Sequence, residues 1–447
     1  MNSRHIAFLA TCAFQCLASH APSQNLGSRE WVSLGLDRER TTVLVVGDNA
    51  PGLLLAGSSS DFSAGTVGGV FRSNNQGETW DTLIRGFSVS CIVIHPQSSD
   101  TIFVGTGTAN YSVPGILKTT DAGGTWTWAN QGIFLDWQTS ILSIAIDPHV
   151  SNIMYAGTGG TNGGALYRTT DGGRHWNMLN PPSDNGYSKL QVLPGDSGVL
   201  LVGTSSGILR SPDRGDSWSI PVEDVDEVLD LQSDATGQIV FAGLGRYAPY
   251  GFAKSFNAGM SWTYMSNVDT VNHGIFSIAI DPNNPRTVFL ITAGSGRHLL
   301  KSLDGGISWE PLPNPAALPR IAIYSPRSGD LYVGCDKMDS LYGGVFKLNI
   351  STAVRDHLVD TDLPNFDTYP NPFNSELKLR LRLSEKRLVN LQVFNLLGEV
   401  VWNLGERSLE AGSHEWSWQA MRKPSGLYFC RVQVGSQFIT NKVLLIR

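Results

Sequence analysis

Short apolar runs of four or five residues, each closed by a turn, recur from residue 30 to residue 350. One stretch shows the unit: Ser143-Ile-Ala-Ile146 stops at Asp147-Pro148, and Ile153-Met-Tyr-Ala156 follows. Then come Gly164-Ala-Leu-Tyr-Arg168, a polar turn, and His175-Trp-Asn-Met-Leu179. Runs this short, punctuated by Gly, Pro and Asp, predict strands and not helices. The same succession returns at Ser277-Ile-Ala-Ile-Asp-Pro282 and Thr287-Val-Phe-Leu-Ile291. Beyond residue 367 the pattern changes. Leu377-Lys-Leu-Arg-Leu-Arg-Leu383 alternates strictly, the period of a strand with one buried face.

The polar turn is itself a repeat. Six segments read basic, Ser/Thr, any, Asp/Asn, any, Gly, any, Ser/Thr/His, Trp: 72–80, 118–126, 168–176, 210–218, 254–262 and 301–309. Their tryptophans (Trp80, Trp126, Trp176, Trp218, Trp262 and Trp309) are 46, 50, 42, 44 and 47 residues apart. The side chains of Asn75, Asp121, Asp171, Asp213, Asn257 and Asp304 are expected to accept bonds from amides of their own turns. The Gly two residues on allows φ > 0 in a tight reversal, and the Trp carries a large apolar surface into the next strand. Carboxylates used in this way are hairpin clips, not catalytic acids. The basic residue before each clip is read as an outer-strand position with its head in water.

Four strands per unit of about 46 residues is the pattern of a propeller blade. After the sixth clip, Arg320–Ile323, Asp330–Gly334 and Gly343–Lys347 supply three more strands but no clip or Trp. Glu30-Trp-Val-Ser-Leu34 looks like a post-clip strand, so it is expected to pair onto the last blade and close a ring of seven. The predicted fold is all-β: a seven-bladed β-propeller (30–350) with an N-terminal strand closing the last blade, then a small Ig-like β-sandwich.

The clip resembles the Asp-box, or BNR, repeat, and residues 30–350 resemble the propellers built from it. These include sialidases, xyloglucan-degrading glycosidases, the sortilin ectodomain and photosystem II assembly factors, with the wording around 155–173 closest to the last three. A sialidase-like site would imply an Arg-Ile-Pro motif near the first blade and an arginine triad. Here the start shows Arg38 and Arg40, and Arg320-Ile321 lies in the last blade without the Pro. The xyloglucan-degrading enzymes use two tandem propellers with the cleft between them, and this sequence carries one.

Residues 351–367 are polar and read as a linker. Residues 368–447 resemble the type A sorting domain of the type IX secretion system in YPNPFN (369–374), VFNLLGEVV (393–401), LEAGSHEW (409–416) and PSGLYFCRV (424–432). That resemblance implies the type IX machinery as a partner and a product secreted from, or held on the surface of, a diderm bacterium. At the other end, Arg4 and His5 precede an apolar run from Ile6 to Ala18, read as a signal peptide over residues 1–21. The run is too short for a transmembrane segment.

Composition adds exclusions. Charged residues are 16 % of the chain and the net charge is −6, so no nucleic-acid partner is expected. Cys91, Cys335 and Cys430 form no metal-spaced set and read as small core residues; neither a metal nor a cofactor is expected. Gly203-Thr-Ser205-Ser-Gly207 fits GxSxG, but a strand follows where a nucleophile elbow needs a helix.

In a propeller the interblade links and the turns between second and third strands share the face opposite the clips. Tyr111, Trp137, Tyr187, Arg246, Tyr247, Tyr250, Asp339 and Tyr342 are therefore the ligand-binding candidates, for a glycan or an extracellular protein. Should the face be a glycosidase, its two carboxylates are sought among Asp136, Asp224, Asp226 and Asp269, with His273 as the candidate base. A non-catalytic structural or assembly module is the third reading.

Overall fold

The computed structural model describes residues 31–446 apart from 48–49, 61–66, 108–113, 137, 161–162, 183–185, 196–197, 224–226, 246–250, 266–273, 294–296, 337–342, 351–364, 371–372, 384, 396–399, 422 and 435–436. The chain divides into two units, Met1–Ser351 and Thr352–Arg447. The expected signal peptide and most of the linker lie outside the described residues. No helix among the described residues is long and apolar enough to cross a membrane.

Among the described residues, the first unit holds seven four-stranded antiparallel sheets. Six are simple meanders. The seventh takes its three inner strands, Leu318–Ser325, Asp330–Asp336 and Gly344–Asn349, from the end of the unit and its outer strand, Val32–Ser33, from the start. Its register is that of the other six. The residue after each tryptophan faces the basic residue before the clip: Asp81 opposite Arg72, Thr127 opposite Lys118, Asn177 opposite Arg168. Val32, which follows Trp31, faces Lys347 in the same way. The Trp80 indole N–H donates to Leu34 O at 2.8 Å, that of Trp176 to Ala129 O at 2.9 Å, and that of Trp31 to Pro313 O at 2.8 Å. Trp31 therefore does what a seventh post-clip tryptophan would do.

The first strands of the seven sheets are Arg40–Val46, Ser88–His95, Ser140–Ile146, Tyr187–Val192, Val228–Ser233, Ile275–Asp281 and Leu318–Ser325. Each packs against the next, and the seventh packs against the first. The apolar core lies between sheets, not within them. Phe103 and Ile116 of the second sheet share a cluster with Ile144, Met154 and Trp176 of the third. Leu44, Leu54 and Phe71 of the first share one with Tyr332 and Val345 of the seventh. One sheet alone leaves its faces in water, so the repeats stabilise one another only by stacking. Glycine permits the approach: a Cβ on Gly334 would lie 2.6 Å from Thr41 Cγ2 across that seam.

Among the described residues, the second unit has two sheets. One is Asn365–Tyr369, Glu376–Leu383 and Gly412–Gln419; the other is Val400–Leu409, Arg387–Phe394, Gly426–Val434 and Gln437–Leu445. The alternation of Leu377, Leu379, Leu381 and Leu383 buries all four, against Val389, Leu391, Val393, Trp418 and Val432.

Candidate functional site

The clips use their polar groups locally. In the second, the Thr119 hydroxyl donates to Asp121 Oδ1 at 2.7 Å and accepts the Gly123 amide at 3.0 Å. Asp121 Oδ1 also accepts the Thr125 amide at 2.8 Å, and Oδ2 accepts the Thr125 hydroxyl at 2.8 Å. Asp171, Asp213 and Asp304 accept the amide four residues on in the same way, as do Asn75 and Asn257. These bonds hold the Asp121 and Asp213 carboxyls down at about 2.

The clip glycines have positive φ as expected, and a second residue joins them, whereas the expectation for the basic residues needs correction. Besides the glycine, the residue just after Asp/Asn is left-handed: Gln76, Ala122, Arg214 and Ala258 have φ of 59°, 61°, 63° and 54°. The basic residue before each clip does not end in water. Lys118 Nζ donates to Gly172 O at 2.9 Å, Arg168 Nη1 to Arg214 O at 2.7 Å, Arg210 Nε to Ala258 O at 2.9 Å and Lys254 Nζ to Gly305 O at 2.9 Å. Each acceptor is the carbonyl just after Asp/Asn in the next sheet's clip. With Arg72, whose Nη1 lies 3.4 Å from Ala122 O, five of the six basic residues are staples between sheets, while Lys301 Nζ lies 3.6 Å from Glu310 of its own sheet.

The opposite ends of the first strands surround a cavity of ≈ 420 Å³. Each first strand carries a β-bulge just after it begins, between Thr41 and Val43, Val89 and Cys91, Ile141 and Ser143, Tyr187 and Lys189, Val228 and Asp230, Ile275 and Ser277, and Pro319 and Ile321. The residues inside those bulges are Thr42, Ser90, Leu142, Ser188, Leu229, Phe276 and Arg320, and all seven line the cavity. A bulge redirects a side chain out of the ladder, and here every sheet directs one toward the same space.

Three of these residues are consumed by the fold. The Thr42 hydroxyl donates to Val89 O at 2.8 Å, the Ser188 hydroxyl to Val228 O at 2.7 Å, and the Ser90 hydroxyl to Ile141 O, in each case joining one first strand to the next. Leu142 and Leu229 have no polar atom to offer. Phe276 and Arg320 are the exceptions, side by side in the sixth and seventh sheets. Arg320 Nη1 lies 3.3 and 3.2 Å from the two carboxylate oxygens of Asp336, which also accept Arg40 Nε at 2.9 Å and Arg297 Nη1 at 2.5 Å. Burial opposes ionisation of Asp336, but the three guanidiniums outweigh it and hold the carboxyl below its ordinary range.

Of the sequence candidates, Tyr111, Trp137, Asp224, Asp226, Arg246, Tyr247, Tyr250, Asp269, His273, Asp339 and Tyr342 lie outside the described residues. Tyr187 is a correction. It begins a first strand and not a loop, is 2 % exposed, and packs among Tyr155, Leu200 and Leu209. The Asp136 carboxylate caps its own turn, accepting the Gln138 amide at 2.9 Å and the Thr139 hydroxyl at 2.6 Å. Gly203–Gly207 joins the strands Leu200–Thr204 and Gly207–Ser211 as a hairpin. Burial pushes the Cys91 and Cys430 thiols up to about 12 and raises that of Cys335. No group of His, Cys, Asp and Glu that could hold a metal occurs among the described residues. Sequence reasoning missed the bulge row and Arg297. The row was recoverable by aligning the seven first strands, because it holds one position in every repeat.

Comparison with known proteins fits both units. Residues 367–446 match the family described as the secretion system C-terminal sorting domain. A xyloglucanase of Paenibacillus sp is 25 % identical over 308 residues, covering 59 % of this chain and 28 % of the relative. The chain spans 28 to 37 % of the length of the curated xyloglucanases it matches. Among solved structures, a GH74 enzyme of Niastella koreensis aligns with a TM-score of 0.56 at 14 % identity, covering 93 % of this chain and 74 % of that one. PorZ, a bacterial surface component of the type-IX secretion system of Porphyromonas gingivalis, aligns at 0.51 with 16 % identity, covering 92 % and 60 %. The chain is thus an all-β protein with β-propeller neighbours, a sequence similarity to xyloglucanases and a type IX sorting domain that marks it for export.

Proposed function

We propose that residues 30–350 form a seven-bladed β-propeller that serves, once exported, as a ligand-binding module at or beyond the cell surface. Residues 368–447 are in this reading an Ig-like sandwich that engages the type IX machinery. The ligand, a glycan or an extracellular protein, meets the end where the first strands begin. The observation that carries this is the bulge row: seven sheets each direct one side chain into one cavity, while the clip end spends its polar groups on itself. Ser60 and Gly107, the described residues next to two of the expected binding loops, line the same cavity. A glycan array probed with the full chain, alongside a panel of secreted and surface proteins, tests the reading. Retention of a ligand that is lost when the cavity is blocked supports it, and retention by the clip end alone would refute it.

The similarity to xyloglucanases favours one second reading, a glycoside hydrolase. It needs two carboxylates about 5 to 9.5 Å apart across a sugar bond. Asp136 is tied to its own turn, so Asp224, Asp226 and Asp269 are its remaining sequence candidates. Turnover of a chromogenic glycoside panel, abolished by Asp226→Asn or Asp269→Asn, would establish it.

A further inference from the structure

We propose that Arg40 and Arg320, backed by Arg297 and set around Asp336 at the cavity rim, form a subsite for the carboxylate of an acidic sugar. This rests on the reading of the cavity as the ligand site. The three arginines come from the first, sixth and seventh sheets, and only the fold unites them. Three guanidiniums around one carboxylate leave an excess of two positive charges. Asp336 sits behind them, its side chain 5 % exposed, whereas that of Arg40 is 41 % and that of Arg320 23 % exposed. Arg40 spends only Nε on Asp336 and Arg320 only Nη1, so their other N–H groups have no partner among the described residues. Both side chains line the cavity.

The bulge row makes the cluster more than a structural clamp. The same position is Thr, Ser or Leu in five sheets, and a salt bridge that only joined sheets would not need its cation aimed at the cavity. Phe276, in the neighbouring bulge, holds its ring 4.9 Å from the Arg297 guanidinium and 5.1 Å from that of Arg320, fixing both in place. Burial lowers the affinity of Arg320 for its proton; Asp336 opposes this, and the charges of Arg40 and Arg297 add to it. A second anion against the outer face of the cluster relieves that repulsion. Two other charged residues line the cavity. Lys189 lies 3.6 Å from Asp230, and Glu227 belongs to the fifth sheet, two sheets round from Arg320, so the positive excess is confined to one side.

Geometry selects the anion. A planar carboxylate matches the guanidinium fork in two parallel bonds. A cavity of ≈ 420 Å³ is within the range of small-molecule sites, whereas docking of a folded acidic protein calls for about 800 Å² of surface per partner. A uronic acid residue of an acidic polysaccharide meets both conditions.

The test is calorimetric titration of the full chain with trigalacturonate, with its fully methyl-esterified form, and with a poly-glutamate peptide. The acid form is expected to bind at least about tenfold more tightly than the ester, a difference of about 1.4 kcal/mol, and to weaken as salt is raised. Arg320→Gln and Arg40→Lys should each erase most of that preference, and Leu142→Trp, across the cavity, should abolish binding of both sugars. The acid–ester contrast needs no variant, so it stands even if Arg320→Gln folds poorly. Equal binding of acid and ester, both lost in Leu142→Trp, overturns the subsite and leaves the cavity as the ligand site. Sugar binding that survives Leu142→Trp overturns both. Absence of acid binding, or a preference for poly-glutamate, overturns the acidic-sugar assignment.

Discussion

Each sheet of the large unit has a clip end and a cavity end, and the two differ in what they hold constant. At the clip end side chains and backbone repeat together. In six sheets a Ser or Thr hydroxyl bonds an Asp or Asn oxygen, which accepts the amide four residues on. At the cavity end only the backbone repeats: seven bulges in equivalent places carry Thr, Ser, Leu, Ser, Leu, Phe and Arg. A polar group whose bonds close within its own turn has nothing left for a ligand. A side chain aimed into open space that bonds no neighbouring strand, as at Leu142 and Leu229, can vary at little cost to the fold. The same repeat therefore separates stability from recognition along the length of each sheet.

The sharpest way to break this comparison is at a clip tryptophan. Trp176 is 3 % exposed, packs between the second and third sheets and donates to Ala129 O. Trp176→Ala should cost about 3–5 kcal/mol in urea unfolding while ligand affinity, measured well below the transition, stays unchanged. A loss of affinity without a loss of stability would place recognition at the wrong end.

Next in size is the staple. Lys118→Met keeps the bulk of the stem but leaves Gly172 O without its 2.9 Å donor. The expected cost is about 1–2 kcal/mol, again with affinity unchanged. A ligand affinity that falls with it would mean that the sheets must hold their spacing for the cavity to work.

A smaller effect of opposite sign tests the left-handed residue. Ala122 has φ 61°, where a Cβ is strained, while the third and sixth clips already hold glycine there, at Gly172 and Gly305. Ala122→Gly should stabilise by about 0.5–1 kcal/mol, because relief of strain exceeds the added freedom of the unfolded chain. A destabilised variant would show that the strain is not there.

The difference between the ends also explains what could be read from the sequence. The clips are legible because chemistry and position coincide: Asp or Asn, then Gly, then Trp at fixed offsets. The outer strand at Val32–Ser33 is legible because Trp31 carries the same signature without its clip. The bulge row is not a motif, since positions 42, 90, 142, 188, 229, 276 and 320 share no one residue type or chemistry, and only their place in the strand is common. Arg297 was harder still, because its partners Asp336 and Phe276 are neighbours in space alone. Tyr187 was misread because a tyrosine at a loop-to-strand boundary looks like a rim aromatic, whereas a one-residue difference in where the strand begins turns the ring inward.

The subtlest prediction concerns acid, and it separates the four Asp clips from the two Asn clips. Hydroxyl and amide donors of Thr119 and Thr125 hold Asp121 at about 2, and those of Ser217 hold Asp213 at about 2. The His175 amide and ring lower Asp171; at Asp304 burial works upward, but the Ser308 hydroxyl and amide outweigh it. Each folded value is below the ordinary 3.8, so the clips add stability that is fully present above about pH 4. That stability is lost as pH falls through about 2, when the protonated acid gives up its acceptor role. Asn75 and Asn257 keep the amide bond and donate from Nδ2 to Thr79 and Ser261 without titrating. Replacing Asp121, Asp171, Asp213 and Asp304 together by Asn should change stability little at pH 7 and flatten its decline between about pH 4 and 2. Some slope should persist, because Asp336 and Glu415 are also held low by their partners. Urea midpoints at pH 7, 4, 3 and 2.5 read the effect directly. An unchanged acid limb would mean that the clip carboxylates do not bond as tightly as their geometry shows, and that the uniform end of the sheets owes its stability to tryptophan packing alone.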